Sequence, residues 1–582
     1  MYRFTPFFLV ILLFFILACE QSQETEKFSL PTPFEEGNGN TTATYEETLD
    51  FYKNLAREFS EINIQTLGLT DSGKPLHLVT FNAEGNFNFQ RLGDDKVVVL
   101  IVNGIHPGES DGIDASMMFM RDLATGAAQI PNNIIPAVIP VYNIGGALNR
   151  NSTSRANQNG PESYGFRGNA RNYDLNRDFI KSDTQNAASF SEILHLVHPD
   201  FLIDTHVSNG ADYSYTLTHL FTQHDKLGGA VGRFQQQVLR PAIEAQLQEN
   251  GWDITPYVNV FNRSPELGFE QFLDSPRYST GYAALWNIPG LMIETHMLKP
   301  YTQRVSGTYE CLLSILKTLG VHQKALLKHR STDSERFKPG DFYPISWKAD
   351  SNKFRLLNFK GFEAEFPVSE VTGLPHLRYN ANRPYTREIP YYDTFIPSDS
   401  IKIPKAYLIS GAWQPVRDRL DQNQIKYEVL DKDSTISVTR YRISTFNTYN
   451  SPYEGHYPHY NTQIKSDTTL VTFHQGDLYI STEQPGVRYL LETLEPEAID
   501  SFFNWNFFDT VLQRKEGFSP YVFDSLALRE LDSDSILRDK FLLEREKNPE
   551  LANNGYAQLD WIYRNSKYYE NAHLRYPVYR VE

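Results

Sequence analysis

The chain has 582 residues, 15 histidines and a formal net charge of -16, with a pI near 5.5. This length exceeds what one ordinary hydrophobic core accommodates, so it predicts two or more domains. The acidic balance, without a basic stripe in the sequence, excludes a nucleic-acid binder because affinity for phosphates needs clustered lysine and arginine.

The first residues have the shape of a secretory leader. Arg3 precedes an apolar run over residues 7–17 that is short for a bilayer and ends at Ala18 and Cys19. Because this ending resembles the lipobox of bacterial lipoproteins, residues 1–19 are predicted to be a lipoprotein signal peptide with lipidation at Cys19. The alternative is a short anchor with an incidental cysteine.

The leader predicts a location and a connection to the first domain. We expect a lipid anchor in the cell envelope, at the outer membrane on its periplasmic side or at the cell surface. Residues 20–43 are rich in Glu, Gln, Ser, Thr, Gly and Asn, which predicts a flexible tether.

Helical and strand patterns alternate through residues 44–332, the predicted first domain. The expected elements are a helix at 45–59, a hairpin at 62–81, strands at 96–103, 134–142, 201–205 and 290–294, and helices at 115–123, 226–249 and 306–327. This order predicts an α/β fold, with a mixed, mostly parallel sheet and helices on both faces.

Residues 333–582 have a different composition, with many Tyr, Pro, Asn and Asp residues and short apolar runs. They predict a second, strand-rich α+β accessory domain, which we expect to cover the rim of the active site. Its expected elements are strands at 403–409, 426–430 and 476–481 and helices at 413–422 and 532–547. His456 and His459 are interpreted as part of a Tyr- and Pro-rich loop, because no further metal ligand accompanies them at useful spacing.

The segment His106-Pro107-Gly108-Glu109 follows the apolar run at 97–102 and reads as a metal-binding loop at the end of a strand. An imidazole and a carboxylate three residues apart can face one cation, and a distant third ligand would complete a catalytic zinc site. A His-x-x-Glu pair arises by chance about once in a chain with this many histidines, so the downstream residues decide its meaning.

Two more apolar strands end in residues that fit such a site. His206 follows the run at 201–205, and Glu294 follows Leu291-Met292-Ile293. The carboxyl ends of strands are where open α/β sheets place their active sites. Asp204 is a candidate for orienting a histidine ligand through a hydrogen bond.

Together with the segment Asp174-Leu175-Asn176-Arg177-Asp178-Phe179, these residues resemble the zinc carboxypeptidases, the M14 metallocarboxypeptidase family, over residues 45–330. The resemblance implies one Zn²⁺ per chain, held by His106, Glu109 and His206. It assigns the catalytic proton shuttle to Glu294.

The resemblance also implies a substrate clamp. Asn176 and Arg177 match the pair that grips the free C-terminal carboxylate of a peptide. Arg167 matches the arginine that stabilises the oxyanion, with Arg171 and Arg155 as competitors. Tyr278 and Tyr282 are both candidates for the substrate-contacting tyrosine of the family.

The function that the resemblance implies is a secreted, lipid-anchored zinc metallocarboxypeptidase that removes C-terminal residues from peptides by means of a metal-activated water. One alternative keeps the site but changes the substrate, giving a zinc-dependent deacylase or a muropeptide amide hydrolase. The other is a non-catalytic envelope binding protein, which the retained ligands and Glu294 disfavour.

Overall fold

The computed structural model describes residues 1–2 and 29–582, so the predictions for the leader and for Cys19 lie outside the described residues. Within the described residues, no helix is both long and apolar enough to cross a membrane.

The strands of the first domain form a mixed sheet. Its order is β1-β2-β4-β3-β5-β9-β6-β7, and the central strands β4, β3, β5 and β9 run parallel to one another. The outer pairs β1/β2, β2/β4 and β9/β6 are antiparallel. The strands of this sheet are β1 Ile62–Leu69, β2 Pro75–Phe81, β3 Val97–Val102, β4 Ile134–Ile139, β5 Phe201–Ser208, β6 Leu217–Phe221, β7 Ile254–Pro256 and β9 Gly290–His296. The short strand β8 Phe269–Glu270 lies in the same half of the chain but belongs to another sheet.

Helices pack on this sheet in two groups. Helices α3 and α10 contact each other and β5 and β9, whereas α5 and α9 contact β1, β5 and β9. The helices are α1 Pro33–Glu36, α2 Tyr45–Glu58, α3 Asp111–Thr125, α4 Ile144–Leu148, α5 Gln185–Val197, α6 His224–Leu227, α7 Gly229–Phe234, α8 Arg240–Glu249, α9 Ser279–Ala283, α10 Tyr301–Val321 and α11 Gln323–Asp333. The predicted α/β fold with a mixed, mostly parallel sheet is confirmed.

Two predictions for this half differ from the structure. The helix expected at 226–249 begins at Gly229 instead, because Gly228 and Gly229 adopt positive φ values of 67° and 63° that end α6 at Leu227. From Gly229, α7 continues into α8 through a π-helical segment at Gln235–Leu239. The tether expected at 20–43 is wrong for residues 32–43. Thr32 caps α1 with a capping box, Phe34 is buried against Tyr301, and the backbone N–H of Ala43 donates to Asp114 at 3.2 Å.

The second half of the chain adds three smaller sheets, with orders β10-β13, β11-β12-β8 and β15-β18-β14-β19-β16-β17. Its strands are β10 Phe342–Ala349, β11 Arg355–Glu365, β12 Arg378–Tyr392, β13 Phe395–Lys402, β14 Ala406–Ile409, β15 Glu428–Val429, β16 Ser434–Thr448, β17 His459–Phe473, β18 Leu478–Ser481 and β19 Arg575–Val581. Its helices are α12 Gln414–Gln422, α13 Val487–Leu494, α14 Pro520–Ser533, α15 Ser535–Lys547, α16 Pro549–Ala552 and α17 Gly555–Arg564. The expected strand-rich α+β character is confirmed.

The two halves share buried surface. One cluster of buried apolar side chains extends from β3 and β5 of the first sheet to β14 and α13 of the second half. The buried guanidinium of Arg488 on α13 donates to the carbonyl oxygens of Ala284 at 2.6 Å and Lys226 at 2.8 Å. The C-terminal half is therefore packed on the first domain, and its loops can reach the edge where β3, β5 and β9 end.

Candidate active site

Three neighbouring parallel strands bring the predicted catalytic residues to one edge of the first sheet. His106 and Glu109 lie in the loop that joins β3 to α3, and His206 lies on β5. Glu294 on β9 is the direct register partner of His206. Residues that are 188 positions apart in the chain, from His106 to Glu294, are thus placed side by side by strand order alone.

The three predicted metal ligands converge. Their candidate ligand atoms all lie within 4.8 Å of one another, and all three side chains are buried. Glu109 Oε1 is 3.2 Å from His106 Nδ1, and Glu109 Oε2 is 3.0 Å from His206 Nδ1. His106 Nδ1 is a buried atom without a hydrogen-bond partner among the described residues. Two imidazoles and a carboxylate match the donors that zinc prefers, and the orphaned nitrogen is what a metal ion would satisfy.

An aspartate carboxylate contacts the Nε2 atom of each histidine, on the side of the ring that faces away from Glu109. His106 Nε2 is 2.9 Å from Asp174 Oδ1, and His206 Nε2 is 2.9 Å from Asp204 Oδ2. A carboxylate on one ring nitrogen fixes the ring and leaves the other nitrogen for a metal. The structure places Asp204 in its predicted position. Asp174 belongs to the segment that resembles the family, but no sequence pattern indicated that it would also orient a histidine.

Positive charge surrounds the carboxylate of Glu109. Arg155 donates to its Oε1 at 2.9 Å, and Arg167 Nη1 lies 3.5 Å from the same oxygen. Burial alone would raise the pKa of Glu109, but the charges of His106 and Arg155 hold this pKa well below its usual range. Glu109 is therefore ionised at neutral pH and can serve as an anionic metal ligand.

Glu294 has the opposite electrostatic setting. It faces the pocket, and burial raises its pKa to about 8, with His206 lowering it and the charges of Glu109 and Asp204 raising it further. A cation bound by the three ligands would lower that pKa again. A carboxyl group poised near neutrality can both accept and return a proton, which is what general acid–base catalysis needs.

Three arginines were candidates for oxyanion stabilisation, and the structure separates them. Arg167 and Arg155 both line the pocket, and Arg167 is fixed by Asp174 through its Nε at 2.9 Å. Arg171 instead points away, donating to the carbonyl oxygen of Asp183 at 3.1 Å and stacking over the Tyr173 ring. Arg155 is held by Gln158 and Glu109 and is 19% exposed, whereas the Arg167 side chain is 43% exposed and is the more accessible of the two pocket arginines.

The predicted clamp lies at the side of the pocket next to Tyr278. Asn176 and Arg177 line the pocket, and the Arg177 guanidinium lies 4.6 Å above the Tyr278 ring. The side-chain oxygen of Asn176 is buried and has no hydrogen-bond partner among the described residues. A carboxylate only accepts hydrogen bonds, so the donors available to it here are the guanidinium of Arg177 and the amide NH₂ group of Asn176.

Tyr282 was expected to contact substrate, and the structure places it elsewhere. Its ring is fully buried, and its hydroxyl bonds Ser191 and Asn423. Its packing between α5 and α12 keeps it out of the pocket, so the prediction of a substrate-binding Tyr282 is wrong. Tyr278, in contrast, lines the pocket.

The pocket has a volume of about 300 Å³ and includes residues that the sequence motifs did not indicate. These are mainly apolar or aromatic: Leu220, Tyr257, Phe261, Phe272 and Met292. A signal for Met292 was available, because it lies two residues before Glu294 on β9 and alternate residues share one face of a strand. The other four come from loops and from β6, whose neighbours follow only from the fold.

Two polar residues close to Glu294 in sequence, and one histidine of the second half, are bonded to other parts of the protein. His296 Nε2 lies 2.9 Å from Asp212, and Lys299 donates to the carbonyl oxygen of Tyr213 at 2.6 Å. His459 is the first residue of β17 and bonds Asp509 and Thr448, so the loop prediction holds for His456 but is wrong for His459.

Comparisons with known proteins fit this geometry. The family model for Peptidase_M14, zinc carboxypeptidase, matches residues 48–198. Carboxypeptidase 2 of Trichophyton rubrum is 20% identical over 492 residues, covering 80% of this chain and 84% of that protein. Carboxypeptidase 2 of Trichophyton equinum is 20% identical over 505 residues, covering 82% and 86%.

Solved structures of low similarity were also found. A metallo-carboxypeptidase from Burkholderia cenocepacia aligns with a TM-score of 0.36 and 15% identity, over 48% of this chain and 70% of its own. Carboxypeptidase A from Helicoverpa armigera aligns with a TM-score of 0.37 and 13% identity, over 48% and 74%.

Proposed function

Since the chain carries a domain of the zinc carboxypeptidase family and is a zinc peptidase, we propose that it hydrolyses the C-terminal peptide bond of peptides outside the cytoplasm. The observation that carries this proposal is one pocket that holds the His106, Glu109 and His206 triad, Glu294 and the Asn176/Arg177 pair together. A carboxylate clamp next to a hydrolytic site favours cleavage at the C-terminus of the peptide substrate.

Each side chain has a task that follows from its position. His106, Glu109 and His206 would hold a zinc ion, which would supply Lewis-acid polarisation and make the attacking water more acidic. Glu294 takes the proton from that water on its carboxylate and returns it to the nitrogen of the leaving amine. The guanidinium of Arg167 stabilises the negative charge that develops on the carbonyl oxygen.

The clamp positions the substrate. Arg177 retains free N–H groups, because only one bond from Nη1 to the carbonyl oxygen of Asn176 at 2.7 Å and a contact with the Tyr453 hydroxyl engage its five N–H groups, and Asp174 lies 3.9 Å away. These groups can form two parallel bonds with a terminal carboxylate, and the Asn176 amide adds a third contact. Binding of the terminal carboxylate places the preceding peptide bond at the metal site and Glu294.

A direct test uses zinc-loaded protein lacking residues 1–19, incubated with a mixed pool of free-acid and amidated peptides and analysed by mass spectrometry. Stepwise loss of C-terminal residues from the free-acid peptides alone is the expected result. A Glu294→Gln variant with normal zinc content serves as the inactive control. Release of amino acids from N-acyl amino acids or cleavage of muropeptides, without cleavage of peptides, would replace the proposal by a deacylase or a muropeptide hydrolase.

We also propose that the protein is a lipoprotein of the cell envelope anchored through Cys19. The support is the leader at residues 1–19 with its small residue before cysteine. Labelling with a fatty-acid analogue in a bacterial host should mark the wild type and spare a Cys19→Ser variant. Unchanged labelling of that variant would remove the anchor from the proposal and leave the activity untouched.

A further inference from the structure

A turn of the C-terminal half reaches the active site of the first domain. Residues 453–456, here called the hairpin tip, lie between β16 and β17. Glu454 Oε2 accepts a hydrogen bond from the backbone N–H of Asp174 at 2.8 Å. His456 Nε2 lies 2.7 Å from Asp183 Oδ2. The hairpin tip thus contacts both ends of the segment that carries the Asn176/Arg177 clamp.

The residue that Glu454 holds is the centre of the site's hydrogen-bond network. The carboxylate of Asp174 contacts His106 Nε2 at 2.9 Å and accepts from Arg167 Nε at 2.9 Å. It also accepts from the backbone N–H of Asn176 at 2.9 Å. A shift of Asp174 would therefore move a metal ligand, the oxyanion arginine and the clamp at the same time.

Tyr453 supports the clamp from the same tip. Its ring stacks on Trp505, with centroids 6.1 Å apart and an interplanar angle of 17°. Its phenol lies against the guanidinium groups of both Arg177 and Arg277. Arg277 is fixed in turn by Asp500, its Nε donating at 2.7 Å. The aromatic ring therefore forms a wall behind the clamp arginine.

The backbone of the tip is shaped for close contact. Glu454 and Gly455 both have positive φ values, of 49° and 77°. A Cβ atom at Gly455 would lie 2.6 Å from the Tyr173 hydroxyl oxygen, closer than real Cβ contacts allow. A non-glycine residue with positive φ is unfavourable, and such conformations concentrate at functional sites.

We propose that the hairpin tip is part of the active site and that Glu454 is a positioning residue, which holds Asp174 and thereby the Asn176/Arg177 clamp. This inference rests on the proposed carboxypeptidase function, because it assigns the C-terminal half a task in binding the substrate carboxylate. It makes the catalytic unit a two-domain unit, with the backbone of Asp174 held by Glu454, a residue 280 positions away in the chain.

The test compares Glu454→Ala, which removes the acceptor, with Glu454→Gln, which keeps an oxygen for the Asp174 N–H. Gly455→Val displaces the tip by a different route and keeps Glu454. The matched control is Glu483→Ala, an exposed glutamate of the same half. Readouts are the melting temperature, kcat and KM on free-acid peptides, and calorimetric binding of N-acetylated Phe, Leu, Lys and Glu against their carboxamides.

Glu454→Ala and Gly455→Val are expected to raise KM and to weaken binding of the preferred N-acetyl amino acid about tenfold, the lower end of what supporting residues contribute at metal sites. Glu454→Gln and Glu483→Ala should stay within threefold of wild type. Wild-type binding and KM in Glu454→Ala would overturn the inference, as would a loss in Glu454→Gln equal to that in Glu454→Ala.

The binding readout separates this inference from the proposed function. If the wild type binds the N-acetyl amino acids in a Glu454-dependent way but cleaves no peptide, the carboxypeptidase proposal fails and the role of the tip stands. If the wild type cleaves peptides and Glu454→Ala cleaves them equally well, only the inference about the tip fails.

Discussion

Replacement of Arg177 by methionine tests the clamp most directly. Methionine keeps an apolar stem of similar length over the Tyr278 ring but removes the guanidinium N–H donors that Arg177 presents to the pocket. Arg171→Met is a matched control, because Arg171 belongs to the same loop, is exposed, and lies outside the pocket. The substitution isolates recognition of the terminal carboxylate from the chemistry at the metal ligands.

The structure sets the size of the expected loss. Each hydrogen bond to a charged group contributes about 1.5 to 3 kcal/mol, and Arg177 offers two to the substrate carboxylate. Together they amount to about 3 to 6 kcal/mol, which corresponds to a loss in kcat/KM between about 160-fold and about 26,000-fold. The Arg177 side chain retains 21% of its exposure, so screening by water places the loss in the lower half of this range.

The assay is kcat/KM on one N-acylated dipeptide as the free acid and as the C-terminal amide. Wild type and Arg171→Met should prefer the free acid strongly. Arg177→Met should lose activity on the free acid alone, so that the ratio of the two substrates approaches one. A preference for the free acid that survives in Arg177→Met, or an equal loss in Arg171→Met, would show that another group binds the carboxylate.

Three further predictions concern other parts of the network. Glu294→Gln should keep its zinc content and lose at least about 100-fold in kcat, because no carboxylate remains to move the proton; an unchanged kcat would exclude Glu294 as the shuttle. Asp174→Asn should weaken zinc binding about 10- to 100-fold in a chelator competition, because His106 loses its charged partner; wild-type affinity would contradict this role. His195→Gln should flatten the loss of stability on acidification. Burial lowers the pKa of His195 to about 4, below its unfolded value of 6.5, so the unfolded chain takes up the proton first. His195 therefore costs stability as the pH falls from 6.5 towards 4, by about 2 kcal/mol at pH 5, and urea titrations at pH 8 and pH 5 should show the wild type losing about 2 kcal/mol more than the variant.

The strand ends that form the metal-site edge of the first domain could be predicted from the sequence for a physical reason. Strands β3, β5 and β9 are buried on both faces, so each is a continuous apolar run with a visible end. The predicted ligands stand in or just after those runs, where parallel strands bring distant residues together. Periodicity therefore located the strand ends, and the resemblance to the zinc carboxypeptidases assigned the ligands and Glu294 to them.

The remaining parts of the site were not encoded in local patterns. Strands β16 and β17 are largely exposed, so their polar residues give no apolar alternation to read. The contact of Glu454 with Asp174 joins loops that have no relation in sequence. Tyr278 and Tyr282 look equivalent in the sequence, and only the packing of α5 and α12 around the Tyr282 hydroxyl distinguishes them.

The place of β19 in its sheet has a consequence for biosynthesis. This strand lies between β14 and β16, so the hairpin of β16 and β17 has no neighbour to join until residues 575–581 have left the ribosome. The sheet that holds the metal ligands needs no residue beyond His296. At the usual speed of translation the two events are separated by roughly 15 to 60 s. During that interval a nascent chain would already present its zinc ligands, while the support of its substrate clamp was still being made.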